Sequence, residues 1–394
     1  MDSLHASLLH VIFLFPTLKP VKLNLISLEP KHEYKVSLSM KKTNPPYDPP
    51  VYSNTSDFKQ LVKHSQVFID NSLLIEGIFE ESTFQSKYLR IGVPPKWGKT
   101  VNMKMLQAFF EIQVHQNGTP IEPKETTSNY RLFREGRVIL DGGTVEHLSK
   151  PFLIHQNDQF CRQHLGQYPV MYLPFQNITG DTVEEIKQSV DDFIQQVYNE
   201  FKYIMIPMVK HQSKIKIDSY IMFKVDRFNQ TILGNISDHT FALEFLSQIL
   251  NEHFSKKVVV IIDDYSAPSI AARKNQRFGE HEIYQVDELI NDMTYKLTHN
   301  FNHNQLIIII GSEDVHLPTF ENFWDNNITA RDLPWFKHFG FNQQDVGVLF
   351  EKRTVSEELL KLPVERYETR DQDVSMATMA QYLNRDEVKK VLFE

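Results

Sequence analysis

Gly98, Lys99 and Thr100 close the stretch Tyr88–Thr100 (YLRIGVPPKWGKT) and have the residue types that hold a phosphate. Glycine lets the backbone close around an anion, lysine supplies positive charge at the terminal phosphates, and a threonine hydroxyl can ligate Mg²⁺. The stretch runs from apolar residues through a proline-rich turn into a helical pattern. There Val101, Met105, Leu106, Phe109, Phe110 and Ile112 recur with a period of 3.6. Lys99 therefore falls at a helix N-terminus, where unsatisfied N–H groups favour anions. The loop departs from G-x-x-x-x-G-K-[ST] at its first glycine, which is Val93. A triphosphate site also needs carboxylates at the end of a neighbouring buried strand. Val258–Ile262 is an unbroken β-branched run, the pattern of a strand buried on both faces of a parallel sheet, and Asp263 and Asp264 follow it. Asp263 is placed to hold a metal through its water shell, and Asp264 to orient an attacking water. Aspartate after a strand also serves as a simple turn former.

The elements that would position these residues alternate in type. Tyr88–Val93, Val170–Phe175, Val258–Ile262 and Leu306–Ile310 read as strands with helical segments between them, giving an α/β fold with a mostly parallel, doubly wound sheet and helices on both faces. Asp70 or Ser72 can cap a helix carrying Leu73, Leu74, Ile78 and Phe79. Asp181 can cap an amphipathic helix with Val183, Ile186, Val190, Phe193, Ile194, Val197 and Phe201 on one stripe. Residues 204–237 look irregular, an insertion in a domain spanning 51–351. Residues 1–50 read as a poorly structured lead-in ending in a proline-rich strap, and 352–394 as a short helical extension. Phe339–Asn342 reads as a strand end passing into a helix.

Composition narrows the function classes. A net charge of −8 supplies no electrostatic argument for nucleic acid. The single cysteine, Cys161, excludes an internal disulfide framework or a cysteine-based zinc site and fits a reducing compartment, so an intracellular location, cytoplasmic or nuclear, is expected. Leu8–Phe15 is too short to span a bilayer, and it lacks both the basic flank and the cleavage site of a signal peptide. No H-E-x-x-H pair and no G-x-S-x-G elbow is present, which leaves zinc-peptidase and α/β-hydrolase chemistry without support.

Three motifs in order resemble those of the AAA-ATPase-like family, whose members carry an F-V-D-K-T-x-L-I motif, an R-P-R-R-F-G-K-T loop and a strand ending D-E-Y-D-x-P. The matching stretches are Val67–Ile75 (VFIDNSLLI), Val93–Thr100 (VPPKWGKT) and Ile262–Pro268 (IDDYSAP), with Tyr168-Pro169-Val170 and Phe339-Gly340-Phe341 resembling two lesser signatures. The resemblance spans about 57–351. It implies a P-loop fold of the ASCE kind with the loop strand central, and ATP and Mg²⁺ as ligands. Lys96, Trp97, Gly98, Lys99 and Thr100 would then form the nucleotide-binding loop, with Thr100 and Asp263 toward the metal and Asp264 as the catalytic carboxylate. The departures bear on activity. Val93 and Pro95 stand where the family has arginines, Asp264 replaces a glutamate, Ser266 replaces the second aspartate, and Gly311-Ser312-Glu313-Asp314 stands where T-G-x-L-R is usual. About forty residues follow Glu351, too few for the nuclease domain of some members. The reading is an ATP-binding P-loop protein with weak Mg²⁺-dependent hydrolysis; the alternative is a degenerate ATPase serving as an interaction module. A homo-oligomer or protein partner is compatible with either. Arg273, Arg277 and Arg331 could then serve as arginine fingers, although solvated surface arginines are the plainer reading.

Overall fold

The computed structural model describes residues 36–38, 56–64, 67–85, 88–93, 98–139, 143–148, 150–204, 215–217, 221–226, 231–236, 241–299, 302–311, 335, 338–339, 341–342 and 373–374. Its centre is a parallel sheet of four strands: β3 (Tyr88–Gly92), β6 (Val170–Pro174), β10 (Val258–Asp263) and β11 (Asn304–Gly311). The spatial order is β3-β11-β10-β6, with every neighbouring pair parallel. Every residue of β10 is buried, and so is all of β11 except Gln305. That is why both strands read as apolar runs without alternation: a parallel sheet covered on both faces has no solvent side.

Helices cover the two faces. On one, Met171, Leu173, Val260, Ile262, Ile307 and Ile309 pack with α6 (Val183–Glu200), α7 (Ala242–Phe254) and α9 (Glu280–His299). On the other, Ile91, Tyr172, Val259, Ile261, Ile308 and Ile310 pack with α2 (Leu73–Gln85), α3 (Lys99–Phe110), α4 (Ser128–Glu135) and α5 (Asp158–His164). Both clusters are contiguous, so the sheet has a full hydrophobic layer on each side, as the α/β reading requires. Among the described residues the remaining α-helices are α1 (Phe58–His64) and α8 (Ala267–Lys274), the latter immediately after the Asp263-Asp264 strand end.

Several sequence expectations need correction. The loop strand β3 lies at the edge of the four described strands, not at the centre, and β11 separates it from β10. Phe341–Asn342 (β12) pairs antiparallel with Asp373–Val374 (β13), so a short stretch of the C-terminal extension is extended rather than helical. Ser37 pairs with Phe68 where Val36–Leu38 (β1) runs antiparallel to Val67–Ile69 (β2), giving the lead-in one ordered strand. Within 204–237, Ile215–Ile217 (β7), Ile221–Asp226 (β8) and Thr231–Ile236 (β9) form an antiparallel three-stranded meander in place of irregular chain. A separate hairpin pairs Arg137–Ile139 (β4) with Val145–His147 (β5).

The cap of α6 is Thr182, one residue after the expected Asp181, because its side chain accepts from the Glu185 amide. Asp181 instead pairs with Arg277. Asp70 caps locally, its Oδ1 accepting from the Ser72 amide at 2.8 Å, and both Asp70 and Ser72 also act over a longer range. Asp70 Oδ2 accepts from the Leu153 amide (2.6 Å) and Ser72 Oγ from the Ile154 amide (3.0 Å). The polar pair of the first motif thus satisfies open N–H groups of the 3₁₀ turn Leu153–Gln156.

Candidate functional site

The carboxyl ends of the parallel strands define where a ligand can sit. In an open α/β sheet the crevice lies beyond those ends, between the loops that leave them. Register puts Gly92 beside Gly311, Ile310 beside Asp263, and Asp263 beside Pro174, so the loop after β3 and the Asp263 carboxyl open on the same edge. One strand separates β3 from β10, which sets them about 10 Å apart at ~4.8 Å per strand. The gap is bridged from above: the Lys99 ammonium reaches Asp264 Oδ1 at 3.3 Å. Lys99 is one-tenth exposed and Asp264 about one-quarter, so this pair is partly withdrawn from water.

Gly98 begins the helix that carries Lys99 and Thr100. Its backbone is left-handed, φ 76° and ψ 22°, a conformation glycine adopts without steric cost, and no side chain caps the helix. A helix start with no side-chain cap presents its N–H groups to whatever anion the loop encloses. Lys96 and Trp97, with Pro94 and Pro95, lie outside the described residues, as do Ser312, Glu313, Asp314 and Arg331. Among the residues that are described, the structure brings together Gly98, Lys99, Thr100, Asp263 and Asp264.

Asp263 and Asp264 are adjacent but differ in environment. Asp263 is fully buried at the end of β10. Its Oδ2 accepts a hydrogen bond from the Tyr172 hydroxyl at 2.6 Å. Its Oδ1 is buried without a well-formed hydrogen bond, although the Thr100 side chain lies close enough to favour the charged form. Burial dominates and pushes the Asp263 carboxyl up to about 6, against the opposing pull of Tyr172, Thr100 and Lys99. A buried carboxylate oxygen lacking a donor, beside a threonine hydroxyl, fits a cation, so these residues suit Mg²⁺. Among the described residues no group of three or more His, Cys, Asp or Glu could hold a metal unaided. Mg²⁺ does not require one, since it is commonly held by one or two protein oxygens with phosphates and waters completing the octahedron.

Asp264 turns away from the strand with φ 53°, a left-handed backbone rare outside glycine, asparagine and aspartate. A short acidic side chain suits that backbone, so aspartate in place of glutamate has a local reason besides reach. Tyr265, fully buried, follows it and packs against Gly311 so closely that a Cβ there would lie 2.4 Å from the ring. The Arg90 guanidinium sits 5.1 Å from the same ring centre. The two described arginines considered as fingers are engaged locally: Arg273 makes a two-pronged contact with Asp287, and Arg277 pairs with Asp181.

Two residues of this site were not singled out in the sequence. Tyr172 reads as one more large residue in a buried strand, and Lys104 as a solvated helix lysine. The Lys104 ammonium lies 3.6 Å over the Tyr172 ring. The available signal was spacing: Lys104 follows Thr100 by four residues and therefore shares its helix face.

Residues 143–291 match the family model described as Predicted AAA-ATPase. That segment is similar to the proteins this family model describes. The match takes in the Asp263-Asp264 strand end and begins after the Gly98–Thr100 loop, so it is narrower than the span of motif resemblance. No curated protein and no solved structure matches the chain. The AAA-ATPase-like segment includes β6 and β10, the two strands that carry Tyr172 and Asp263. Among the described residues no helix is long and apolar enough to cross a membrane.

Proposed function

We propose that the chain binds a nucleoside triphosphate, ATP, together with Mg²⁺, and hydrolyses it slowly. The observation that carries this reading is the approach of Lys99 to Asp264 at 3.3 Å, which joins the glycine-led helix start to the end of the buried acidic strand. In this reading Gly98 and the helix amides enclose the phosphates, with Lys96 and Trp97 completing the loop, and Lys99 neutralises the β- and γ-phosphates. Thr100 and Asp263 hold the metal, which supplies charge neutralisation on the phosphates. Asp264 orients the attacking water once Lys99 has turned to the nucleotide. Slow turnover follows from the short reach of Asp264, since misplacing a catalytic group by about 1 Å can cost ~10²-fold.

The ion pair also favours a second reading. A carboxylate held by the loop lysine is not free to orient water, and a chain that kept this pair would be a degenerate ATPase acting as a protein-interaction module. Binding of labelled ATP with and without Mg²⁺, followed by a turnover assay, separates the two. Saturable binding with measurable hydrolysis lost in Asp264→Ala supports the enzyme; binding without hydrolysis supports the module. Absence of binding by the wild-type protein discards the nucleotide site.

A further inference from the structure

Asp263 cannot be fixed by its own strand alone. Its side chain can rotate about two torsions; the well-formed hydrogen bond it accepts is from Tyr172 Oη at 2.6 Å, with the Thr100 side chain near the carboxylate. The sheet register explains how that contact is reached. Tyr172 on β6 pairs with Ile261 on β10, two residues before Asp263, and side chains two apart share a sheet face. Two residues of strand are about 6.6 Å, a distance that a phenol leaning along the strand spans with its hydroxyl. Phenylalanine would fill the same space but leave the carboxylate untethered. The phenol is held as the donor, because burial and the neighbouring Asp263 charge push its pKa up.

The ring itself is clamped from the helix side. Lys104 stands one turn after Thr100 on α3, and its ammonium sits 3.6 Å over the ring while donating to Gln107 Oε1 at 3.3 Å. Burial lowers the Lys104 pKa, and the carboxylates facing it, Glu200, Asp57, Asp263 and Glu111, oppose that. A cation on the face of a phenol draws electron density from the ring and strengthens its hydroxyl as a donor. The chain of contacts therefore runs from the loop helix through Lys104 and Tyr172 to the metal-facing carboxylate.

We propose that Tyr172 is a positioning residue for Asp263, holding Oδ2 so that Oδ1 is presented to the metal, with Lys104 holding the Tyr172 ring in turn. This rests on the nucleotide reading above. Partners that orient a metal-facing group typically change metal affinity by about 10–100-fold when removed.

The test is a Mg²⁺ titration of the full chain with labelled ATP bound, repeated with Mn²⁺ read by electron paramagnetic resonance. Tyr172→Phe is expected to raise the half-saturating concentration of either metal about tenfold or more, with ATP affinity in EDTA unchanged within about twofold. Lys104→Met should move the metal requirement the same way by a smaller factor. Unchanged metal half-saturation in Tyr172→Phe overturns the proposal. So does an equal loss of ATP affinity in EDTA, which would mark a structural role. If the wild-type protein binds no ATP under any condition, both this inference and the nucleotide reading fall. If it binds Mg²⁺ and ATP and Tyr172→Phe does the same, only the positioning role does.

Discussion

Replacing Asp263 by asparagine should stabilise the metal-free protein while removing its response to Mg²⁺. Burial raises the Asp263 carboxyl from 3.8 to about 6. At about 1.36 kcal/mol per pH unit, that gap corresponds to roughly 3 kcal/mol by which the charged form disfavours the native state. The sign follows from the direction. A raised native-state value means the folded chain holds the proton more tightly, so stability is fully present below pH 3.8 and is lost as pH rises through about 6. Asparagine carries no charge at any of these values and can still accept from Tyr172, but its amide donors are left without an assigned acceptor, a cost of about 1–3 kcal/mol. The net gain for Asp263→Asn is therefore about 1 kcal/mol at pH 8; as pH falls below 6 it should shrink and turn into a loss of about 1–2 kcal/mol near pH 4. Urea unfolding of both proteins in EDTA across that range measures it. Parallel stability curves from pH 4 to pH 8 would mean that Asp263 titrates alike in the folded and unfolded chains, contrary to its burial at the end of β10.

Other perturbations have separate signatures. Asp264→Asn keeps a residue suited to φ 53° and frees Lys99 from its ion pair, so ATP should bind about two- to fivefold more tightly while turnover falls; weaker binding in an equilibrium titration would contradict the pairing. Gly311→Ala places a Cβ 2.4 Å from the buried Tyr265 ring and should cost about 1–3 kcal/mol in urea unfolding, with an unchanged midpoint speaking against that contact.

Much of the scaffold was legible because burial leaves a direct mark on composition. The β-branched run Val258–Ile262 and the run Leu306–Ile310 declared buried parallel strands, and the stripe from Val183 to Phe201 declared a helix with one covered face. The helix start at Lys99 and Thr100 could be read from spacing alone, and the structure has Gly98 at its N-cap. Strand order could not, since the pairing of β3 with β11 is a contact between distant segments that local pattern does not encode. The same limit hid the Lys99–Asp264 pair. It also hid Tyr172, whose hydroxyl matters only because register sets it two residues from Asp263. Lys104 was missed for a different reason: a lysine on a helix usually reaches solvent, and only the packing of α3 on the sheet turns this one inward. Asp70 does accept locally, from the Ser72 amide at 2.8 Å, but the Leu153 and Ile154 amides that Asp70 and Ser72 also satisfy lie some eighty residues away.

The central claim is that Lys99 joins the helix start to a nucleotide, and one measurement addresses it directly: equilibrium binding of labelled ATP, with Mg²⁺ and in EDTA, to the wild-type chain and to Lys99→Ala. Saturable binding by the wild type, tighter with Mg²⁺, is expected, with loss of binding in Lys99→Ala while its fold stays intact by circular dichroism. Equal ATP affinity in the two proteins would contradict it.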